Sequence, residues 1–301
     1  MSYSIGLDLG GTNMKAVAVT TDGTVLNRVA APTLDGLHTV SDWATSARVL
    51  IAELSPPHRG PPASVGLCMP GIVAPDGRSI RSYPGRLRGL EGFDWQTALG
   101  QSPAPTLLND AHAALLAEAW IGAARGRNHA VLFTLGTGVG GAILADGRIL
   151  RGALGRAGHV GHTTVDLDGP PSIVGMPGAL ETMIGECTLC ARSNRHYANT
   201  HALLAACGAG DAEATRVWRR SIHALACSVA STINLLDPEV IILGGGIAQA
   251  GDALLVPLAA ALDVIEWRRG GQRTPLALAL LGEWAGALGA ARHSMLSHDT
   301  R

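Results

Sequence analysis

Short apolar runs, each ended by glycine or another turn residue, dominate the first seventy residues. Tyr3 to Leu9 is one such run, Gly10-Gly11-Thr12 interrupts it, and the apolar pattern resumes at Ala16 to Val19. Because strands are short and bounded by turn residues, this pattern predicts a β-hairpin. Apolar residues at helical spacing then predict a helix over Val40 to Leu54, and a buried strand is predicted over Ser64 to Met69.

A strand, a helix and a second hairpin are predicted in the middle of the chain. The strand covers Pro105 to Leu108, and the helix starts at Asn109-Asp110 and runs to about Gly126. A capping residue directly before apolar periodicity is the usual start of a helix. Ala130 to Leu135, a GTGVGG turn and Ala142 to Leu144 then predict the second hairpin.

The last third of the chain alternates helices with one strand. Trp218 to Leu236 and Asp252 to Ala261 predict helices, and Val240 to Leu243 predicts a strand that runs into Gly244-Gly245-Gly246. The closing helix, Gly282 to Met295, is rich in alanine and glycine. Small residues of this kind are expected where a helix packs closely against another element.

The two hairpins repeat one sequence pattern. Asp8 to Thr12 and Thr134 to Gly138 stand in register at an offset of 126 residues, which indicates a duplicated unit. Alternating strands and helices with such a duplication predict an α/β protein of two related lobes. A length of 301 residues with 47% hydrophobic residues is enough for two cores.

Charge and composition exclude several classes of partner. A net charge of -1 and a pI near 6.8 provide no basic surface for a nucleic-acid backbone. The chain has no uncharged apolar run of the roughly 20 residues that span a bilayer, and its first residues lack a signal-peptide pattern. We therefore expect a soluble, cytoplasmic protein that acts on a small molecule, with neither nucleic acid nor membrane as partner. The five cysteines are expected to stay reduced.

Three glycine loops are candidates for holding a nucleotide. In the first loop, backbone N–H groups of Gly10 and Gly11 could approach phosphate oxygens, Thr12 adds a hydroxyl donor, and Asp8 could hold a hydrated Mg²⁺. Lys15, the single lysine of the chain, lies beside this loop. An ordinary glycine turn is the alternative for each loop alone, but two loops on two lobes could grip a nucleotide from both sides. The other nucleotide-binding candidates are Gly136, Thr137 and Gly138 of the second loop and Gly244, Gly245 and Gly246 of the third.

These loops, with Asn109-Asp110 between the first two, resemble those of the ROK sugar kinases, a family that also includes sugar-responsive repressors. The resemblance covers nearly the whole chain, from Ile5 to about Ala291. Its carriers are DLGGTNMK at 8–15, CMPGIV at 68–73, NDAHAALLAE at 109–118, LGTGVGG at 135–141, GRAGHVGH at 155–162, LDPEVIILGGG at 236–246 and AGALGAA at 285–291.

The resemblance implies a fold, a cofactor and an assembly. The fold is the two-lobed actin-like ATPase or hexokinase-like type, which is ribonuclease H-like. One lobe is expected to comprise residues 1–112 with a C-terminal helix at about 284–301, and the other residues 113–283. ATP with Mg²⁺ is expected between the lobes, whose closure would exclude water from the γ-phosphate. A small-molecule sugar is the expected substrate, and a homodimer is the expected assembly.

By the same resemblance, Asp110 is the general base that takes the proton from the acceptor hydroxyl, and Asn109 hydrogen-bonds the sugar. Phosphoryl transfer leaves the protein little covalent work, so one carboxylate that orients the hydroxyl and accepts its proton is sufficient. The alternative for Asp110 is an N-cap of the following helix, and capping and catalysis could coexist. The other sugar-binding candidates are Gly71, His159, His162 and Glu181.

The chain departs from the family pattern at the sugar position and at a zinc site. Family members usually carry glutamate where this chain has His159, and a neutral imidazole cannot copy an acceptor-only carboxylate. This difference suggests a substrate other than plain glucose.

The family also binds a structural Zn²⁺ through the histidine that matches His162 and three cysteines. Ser172, Val174 and Ala179 stand in place of those thiols, so no structural zinc is expected.

A Cys-x-x-Cys pair and a run of arginines have two interpretations each. Cys187 and Cys190 could replace the lost zinc ligands together with the two histidines of GRAGHVGH, but two buried free thiols are the preferred interpretation. The arginines lie in a loop-like segment near the expected sugar cleft, where a solvated surface is preferred over a site for an anionic substrate group. They are Arg78, Arg81, Arg86 and Arg88.

Three functions are compatible with these residues. The leading hypothesis is an ATP-dependent sugar kinase. Regulators of the family carry a helix-turn-helix module before the kinase-like part, and a first phosphate loop at residue 8 is expected to leave no room for one. A catalytically degenerate sugar-binding regulator or sensor is the third hypothesis. His159 and the missing zinc ligands favour it, whereas the intact Asp8, Thr12 and Asp110 oppose it.

Overall fold

The computed structural model describes residues 2–299, apart from the side chains of Arg59, Arg269 and Asp299. Contacts between residues divide this part of the chain into two units. Unit 1 combines residues 2–126, 151–157 and 280–299, and unit 2 combines residues 127–150 and 158–279. The predicted lobe boundary at residue 112 falls inside a helix that belongs entirely to unit 1.

Unit 1 is built on a five-stranded sheet with the order β3-β2-β1-β4-β7. The first three strands are antiparallel neighbours, whereas β4 and β7 run parallel to β1. A separate antiparallel pair joins β5 to β6. The strands are β1 (Tyr3–Leu9), β2 (Asn13–Thr20), β3 (Val25–Pro32), β4 (Ser64–Met69), β5 (Ile72–Val73), β6 (Ile80–Ser82) and β7 (Thr106–Asn109).

Unit 2 repeats this arrangement. Its sheet has the order β10-β9-β8-β11-β12, again with three antiparallel strands followed by two that run parallel to the first. The strands are β8 (Ala130–Leu135), β9 (Val139–Ala145), β10 (Arg148–Ile149), β11 (Val240–Gly244) and β12 (Leu276–Leu278). The first glycine loop joins β1 to β2, and the second joins β8 to β9. The predicted α/β fold with a duplicated hairpin is thereby confirmed.

Nine α-helices complete the two units within residues 2–299. Four belong to unit 1 and five to unit 2. Those of unit 1 are α1 (Val40–Leu54), α2 (Trp95–Leu99), α3 (Asp110–Ile121) and α9 (Ala285–Asp299). Those of unit 2 are α4 (Leu180–Ile184), α5 (Glu186–Arg192), α6 (Thr200–Gly208), α7 (Ala212–Leu236) and α8 (Asp252–Ile265).

Several predicted helix boundaries were wrong. Helix α8 ends at Ile265 and not at about Ala261, and the closing helix covers Ala285–Asp299 and not Gly282 to Met295. Two further errors have local reasons. Helix α3 ends at Ile121 and not near Gly126, because Glu118 accepts the N–H groups of the residues that follow the helix. Helix α7 begins at Ala212, six residues before the predicted Trp218. Its first turn has only the small Ala212 and Ala214 as apolar residues, which is a weak signal of hydrophobic periodicity.

The closing helix lies directly against the sheet of unit 1. A β-carbon built on Gly6 of β1 would lie 1.8 Å from the carbonyl oxygen of Ala287 in α9. No larger residue could occupy this position without moving the helix away from the sheet. The predicted close packing of this alanine- and glycine-rich helix is thus confirmed.

Each unit has its own hydrophobic core. Trp43 of α1 and Trp95 of α2 are fully buried in the core of unit 1. Phe133 of β8 and Leu225 of α7 are fully buried in the core of unit 2. No helix within residues 2–299 is both long and apolar enough to cross a bilayer.

Candidate active site

Three parallel strands of unit 1 end at the same edge of its sheet, and each end carries a predicted site residue. Asp8 of β1 lies opposite Cys68 of β4, and Met69 of β4 lies opposite Asn109 of β7. Ligands of α/β proteins commonly bind beyond the carboxyl ends of parallel strands. The sheet therefore brings Asp8, the turn after β4 and the start of α3 to one edge.

Asn109 connects the start of α3 to the turn after β4. Its Oδ1 accepts hydrogen bonds from the N–H groups of Ala111 and His112, at 3.0 and 3.1 Å, so Asn109 is the N-cap of the helix. Its Nδ2 donates to the carbonyl oxygen of Gly71 at 3.1 Å. Asn109 is therefore the N-cap, and Asp110 is the first residue of the helix.

The carboxylates of Asp8 and Asp110 are close enough to influence each other. Burial and, next, repulsion by Asp110 raise the pKa of Asp8 to about 7, although a hydrogen bond with the Cys68 thiol and the charge of Lys15 oppose this rise. Burial and then the Asp110 charge also raise the pKa of Tyr83. Asp8, Asp110 and Tyr83 thus share one electrostatic environment.

This carboxylate pair fits a magnesium ion. Mg²⁺ is usually bound by one or two carboxylates, with waters and substrate phosphates as its other ligands. A cation near Asp8 and Asp110 would relieve the repulsion that raises the pKa of Asp8. Asp8 therefore has the chemistry to hold Mg²⁺ through water.

The first glycine loop is held by its carbonyl oxygens. Thr33 Oγ1 donates to Gly10 O at 2.7 Å, Arg86 Nη2 donates to Gly11 O at 3.0 Å, and Thr33 N donates to Thr12 O at 2.8 Å. Across residues 2–299, the N–H groups of Gly11 and Thr12 donate to no protein acceptor. In a trans peptide the carbonyl and the following N–H point in opposite directions. Both N–H groups therefore point away from Thr33 and Arg86.

The second glycine loop has the same construction in unit 2. The N–H of Glu186 donates to Gly136 O and that of Cys187 to Thr137 O, both at 2.9 Å. In the part of the chain that is described, the N–H groups of Thr137 and Gly138 have no protein acceptor. Two unpaired N–H groups in succession form the kind of backbone concavity that binds anions.

Glu181 of α4 contacts the second loop directly. Its Oε2 accepts a hydrogen bond from Val139 N at 3.0 Å. The same oxygen lies 2.3 Å from the position of a β-carbon built on Gly138, so a larger residue there would displace this carboxylate. The predicted sugar ligand is thus also a support of the second loop.

The third glycine loop lies beside the second one. Gly244 of β11 is the register partner of Thr134 of β8, so both strands end at the same edge of the sheet of unit 2. Gly245 has a positive φ of 87°, and a β-carbon built on it would lie 2.3 Å from Leu135 O. Its turn therefore requires glycine for backbone reasons. Gly246 faces open space.

Lys15 forms an ion pair with a carboxylate of unit 1. Its Nζ forms an ion pair of 2.7 Å with Glu283 Oε2 and lies 5.9 Å from the ring centroid of Trp284. Lys15 is also the strand partner of Asp8. Its contact with a nucleotide stays a prediction.

His159 and His162 lie at the two ends of a single helical turn. The N–H of His162 donates to His159 O at 3.1 Å, and the two imidazole rings are nearly parallel, with centroids 6.3 Å apart. The turn continues into Thr163, whose carbonyl accepts the N–H of Leu180 at 2.9 Å. This contact connects both histidines to the residue before Glu181. His162 Nδ1 is buried and has no hydrogen-bond partner among the described residues.

Backbone hydrogen bonds hold the segment in which the family pattern would have its thiols. Val165 N donates to Gly178 O at 2.9 Å, and Ser172 N donates to Met176 O at 2.8 Å. Val174 is exposed and Ser172 is partly exposed, whereas Ala179 is buried. Within residues 2–299, no group of three or more histidine, cysteine, aspartate or glutamate side chains could hold a metal ion. The expectation of no structural zinc stays a prediction.

The free thiols of Cys187 and Cys190 are exposed, so the expectation that they are buried was wrong. Both lie on the short helix α5, of which Leu189 is the buried residue. The helix turns one face to the core of unit 2, and both cysteines lie outside that face.

The arginine-rich segment includes one contact that the sequence did not reveal. Arg78 forms an ion pair with Asp94, as expected for a solvated surface. Arg86 is also largely exposed, but its guanidinium contacts the first glycine loop and Asp35. Thr33 was missed in the same way. Neither residue has a local sequence signal, because the chain separates them from the loop.

The predicted site residues are distributed over both units. Unit 1 holds the first loop, Gly71, Asn109 and Asp110, and unit 2 holds the second and third loops, both histidines and Glu181. Within unit 1 the structure brings together Asp8 with Asp110 and Asn109 with Gly71. Within unit 2 it brings together Glu181 with the second loop and His159 with His162.

Comparison with known proteins identifies relatives along the whole chain. The model of the ROK family matches residues 4–295. A glucokinase of Halalkalibacterium halodurans is 33% identical over 311 aligned residues, which cover 95% of this chain and 93% of that protein. An N-acetylmannosamine kinase of Escherichia coli O157:H7 is 31% identical over 252 residues, which cover 82% of this chain and 84% of that protein.

A solved structure agrees with these relatives. The ROK hexokinase of Thermus thermophilus superposes with a TM-score of 0.86 at 29% identity, and the match covers 99% of this chain and all of that one. Sequence and structure thus lead to the same assignment as the motifs. The chain belongs to the ROK family.

Proposed function

We propose that this protein is an ATP-dependent sugar kinase that transfers the γ-phosphate of MgATP to a hydroxyl of a hexose or hexose derivative. Relatives named glucokinase and N-acetylmannosamine kinase support this reaction class. The observation that carries the proposal is the construction of the first two glycine loops. Each has carbonyl oxygens that accept hydrogen bonds from the protein, and two neighbouring N–H groups without an acceptor among residues 2–299.

The nucleotide-binding role follows from this construction. The unpaired N–H groups of Gly11 and Thr12 in unit 1, and of Thr137 and Gly138 in unit 2, are donors for phosphate oxygens. Because the carbonyl oxygens are already occupied, the loops need little reorganisation to bind an anion. The third loop, at Gly244 to Gly246, provides an open backbone surface next to the second loop for the nucleoside.

Asp110 acts as the general base. Its position at the start of α3, next to the Asn109 cap, holds the carboxylate on a rigid element. It orients the acceptor hydroxyl and accepts its proton as the oxygen attacks the γ-phosphorus. Asp8 would hold a hydrated Mg²⁺, which would supply positive charge against the phosphates.

The candidates for contact with the acceptor hydroxyl groups are Gly71, Asn109, His159, His162 and Glu181. An imidazole at position 159 both donates and accepts hydrogen bonds, unlike a carboxylate. The preferred acceptor is therefore a sugar other than plain glucose. The family resemblance also implies that the active assembly is a homodimer.

An acceptor screen tests this proposal. ADP release with MgATP is measured for hexoses, N-acetylhexosamines and polyols, each against a reaction without acceptor. The proposal expects sugar-dependent ADP release for at least one member, with a phosphorylated sugar as second product. ATP binding without turnover of any acceptor would instead support a degenerate sugar-binding regulator of the same family.

A further inference from the structure

We infer that Arg86 is a positioning residue for the nucleotide phosphates, and that it acts through the peptide that joins Gly11 to Thr12. This inference rests on the proposed function, because it assigns a support to the loop that binds the phosphates. Arg86 is not a residue of any motif that carries the family resemblance.

The guanidinium of Arg86 lies over the first glycine loop. Its Nη2 donates to Gly11 O at 3.0 Å, and its Cζ lies 3.5 Å from the position of a β-carbon built on Gly11. The side chain is 64% exposed. An exposed arginine loses considerable rotamer entropy when it is ordered, so a second partner is needed to keep it there.

Asp35 is that second partner. Arg86 Nε donates to Asp35 Oδ2 at 2.8 Å, and Asp35 Oδ1 accepts the N–H of Leu87 at 3.1 Å. The side chain of Asp35 is only 13% exposed. Its hydrogen bond with Arg86 holds the pKa of the Asp35 carboxyl below its usual range, so Asp35 is charged at neutral pH. Asp35 thus fixes both the backbone and the side chain of the arginine segment.

The contact with Gly11 O has a direct consequence for the opposite side of the peptide. Because the peptide is planar and trans, fixing the carbonyl of Gly11 also fixes the direction of the Thr12 N–H. The positive charge of the guanidinium also polarises the peptide, and hydrogen bonds that are linked in series through one peptide strengthen each other. Arg86 therefore both aims the Thr12 N–H and makes it a better donor to phosphate.

The carbonyl oxygens of the second loop are held in the same way, but by backbone N–H groups and not by a side chain. There the N–H groups of Glu186 and Cys187 hold the loop carbonyls. Only proline would remove a backbone donor, and it would also fix the local backbone, whereas the Arg86 side chain can be removed with the backbone unchanged. The first loop is therefore the one in which the importance of carbonyl anchoring can be measured.

The test compares three variants with the wild type. Arg86→Ala removes the hydrogen bond to Gly11 O. Arg86→Lys keeps the charge but has a single nitrogen to donate to both Gly11 O and Asp35 Oδ2. Arg78→Ala is the matched control, because Arg78 lies in the same segment but pairs with Asp94, away from the loop. Calorimetry gives the Kd of MgATP and of adenosine, which lacks the phosphates, and kinetics give the KM values of ATP and sugar.

We expect Arg86→Ala to weaken MgATP binding about 5- to 10-fold, the size of one ordinary hydrogen bond. Adenosine affinity and the KM of the sugar should stay within twofold of the wild type. Arg86→Lys should recover part of the loss, and Arg78→Ala should match the wild type. Circular dichroism melts establish that each variant is folded.

Three results would overturn the inference. These are unchanged MgATP affinity in Arg86→Ala, an equal loss of adenosine affinity, and full recovery in Arg86→Lys, which would show that charge alone suffices. A wild-type protein that binds no MgATP or phosphorylates no acceptor would refute the proposed function itself. The two failures are therefore distinguishable.

Discussion

Glu181 and Val139 are joined by a hydrogen bond of 3.0 Å from the backbone N–H to the carboxylate, directly after the second glycine loop. The family resemblance implies that this glutamate also reaches the sugar. One carboxylate can serve both roles, because Oε2 is used by the loop and Oε1 is left for a hydroxyl. Glu181 would then couple the acceptor to the loop that is proposed to bind phosphate.

Substitutions of Glu181 can separate these roles. Glutamine keeps an oxygen that accepts the Val139 N–H, whereas alanine removes it. We expect Glu181→Ala to raise the KM of both ATP and sugar about 5- to 10-fold, and Glu181→Gln to raise mainly the KM of the sugar. Steady-state kinetics provide the values, with Glu213→Ala as a surface control in unit 2. Identical ATP KM values for the two variants would argue against the loop support.

Glu118 is predicted to be a major contributor to stability. This buried carboxylate accepts the N–H groups of Ala123 at 2.7 Å and of Leu280 and Leu281 at 2.9 Å. Glu118→Ala leaves three backbone donors without a partner, so we expect a loss of at least about 3 kcal/mol in the free energy of unfolding. Urea denaturation measures it, with the exposed Glu53→Ala as control. A loss below about 1 kcal/mol would contradict this role.

His293 is predicted to make stability depend on pH. Burial, and next the positive Arg151 and His112, lower its pKa to about 4, and its Nε2 accepts a hydrogen bond from Arg151 at 3.1 Å. Between pH 6.5 and 4 the unfolded chain binds the proton and the folded protein does not, so stability falls as the pH falls through this window. The full loss is about 3 kcal/mol.

Glutamine can replace His293 as the acceptor for Arg151 without titrating. Urea denaturation between about pH 4 and pH 7 should therefore show a flatter stability profile for His293→Gln than for the wild type. The exposed His201→Gln on α6 serves as control and should keep the wild-type profile. Parallel profiles for wild type and His293→Gln would contradict the prediction.

His159 is predicted to decide which sugar is accepted. His159→Glu restores the carboxylate that family members usually carry, so we expect kcat/KM for glucose to rise about tenfold or more. His58→Glu introduces the same charge change on the surface of unit 1 and should have no effect. Equal turnover of glucose by the wild type and His159→Glu would show that position 159 does not select the substrate.

Local patterns predicted most of the elements. The strands Tyr3–Leu9 and Ser64–Met69 and the helix Val40–Leu54 were predicted with the observed bounds, because apolar periodicity and turn residues coincide at their ends. The start of α7 was missed because its first turn, which Asp211 caps, has only small alanines as apolar residues. There the cap, and not hydrophobic periodicity, determines where the helix begins.

The supports of the site could not be predicted in the same way. The glycine loops are visible in the sequence, because each lies within a few consecutive residues. Their anchors are contacts over long sequence distances, such as Arg86 to Gly11 and Glu181 to Val139. Such contacts depend on how α4 and the arginine segment pack, which no local pattern specifies.

Substitution of Asp110 tests the central claim most directly. Asparagine has the same shape and can still accept the N–H of Ala111, but it cannot take a proton from the acceptor hydroxyl. The measurement is kcat for the best acceptor in wild type and Asp110→Asn, together with the affinity for MgATP. We predict a fall in kcat of about 10²- to 10⁴-fold with MgATP affinity retained. Undiminished phosphorylation of the acceptor by Asp110→Asn would contradict the account.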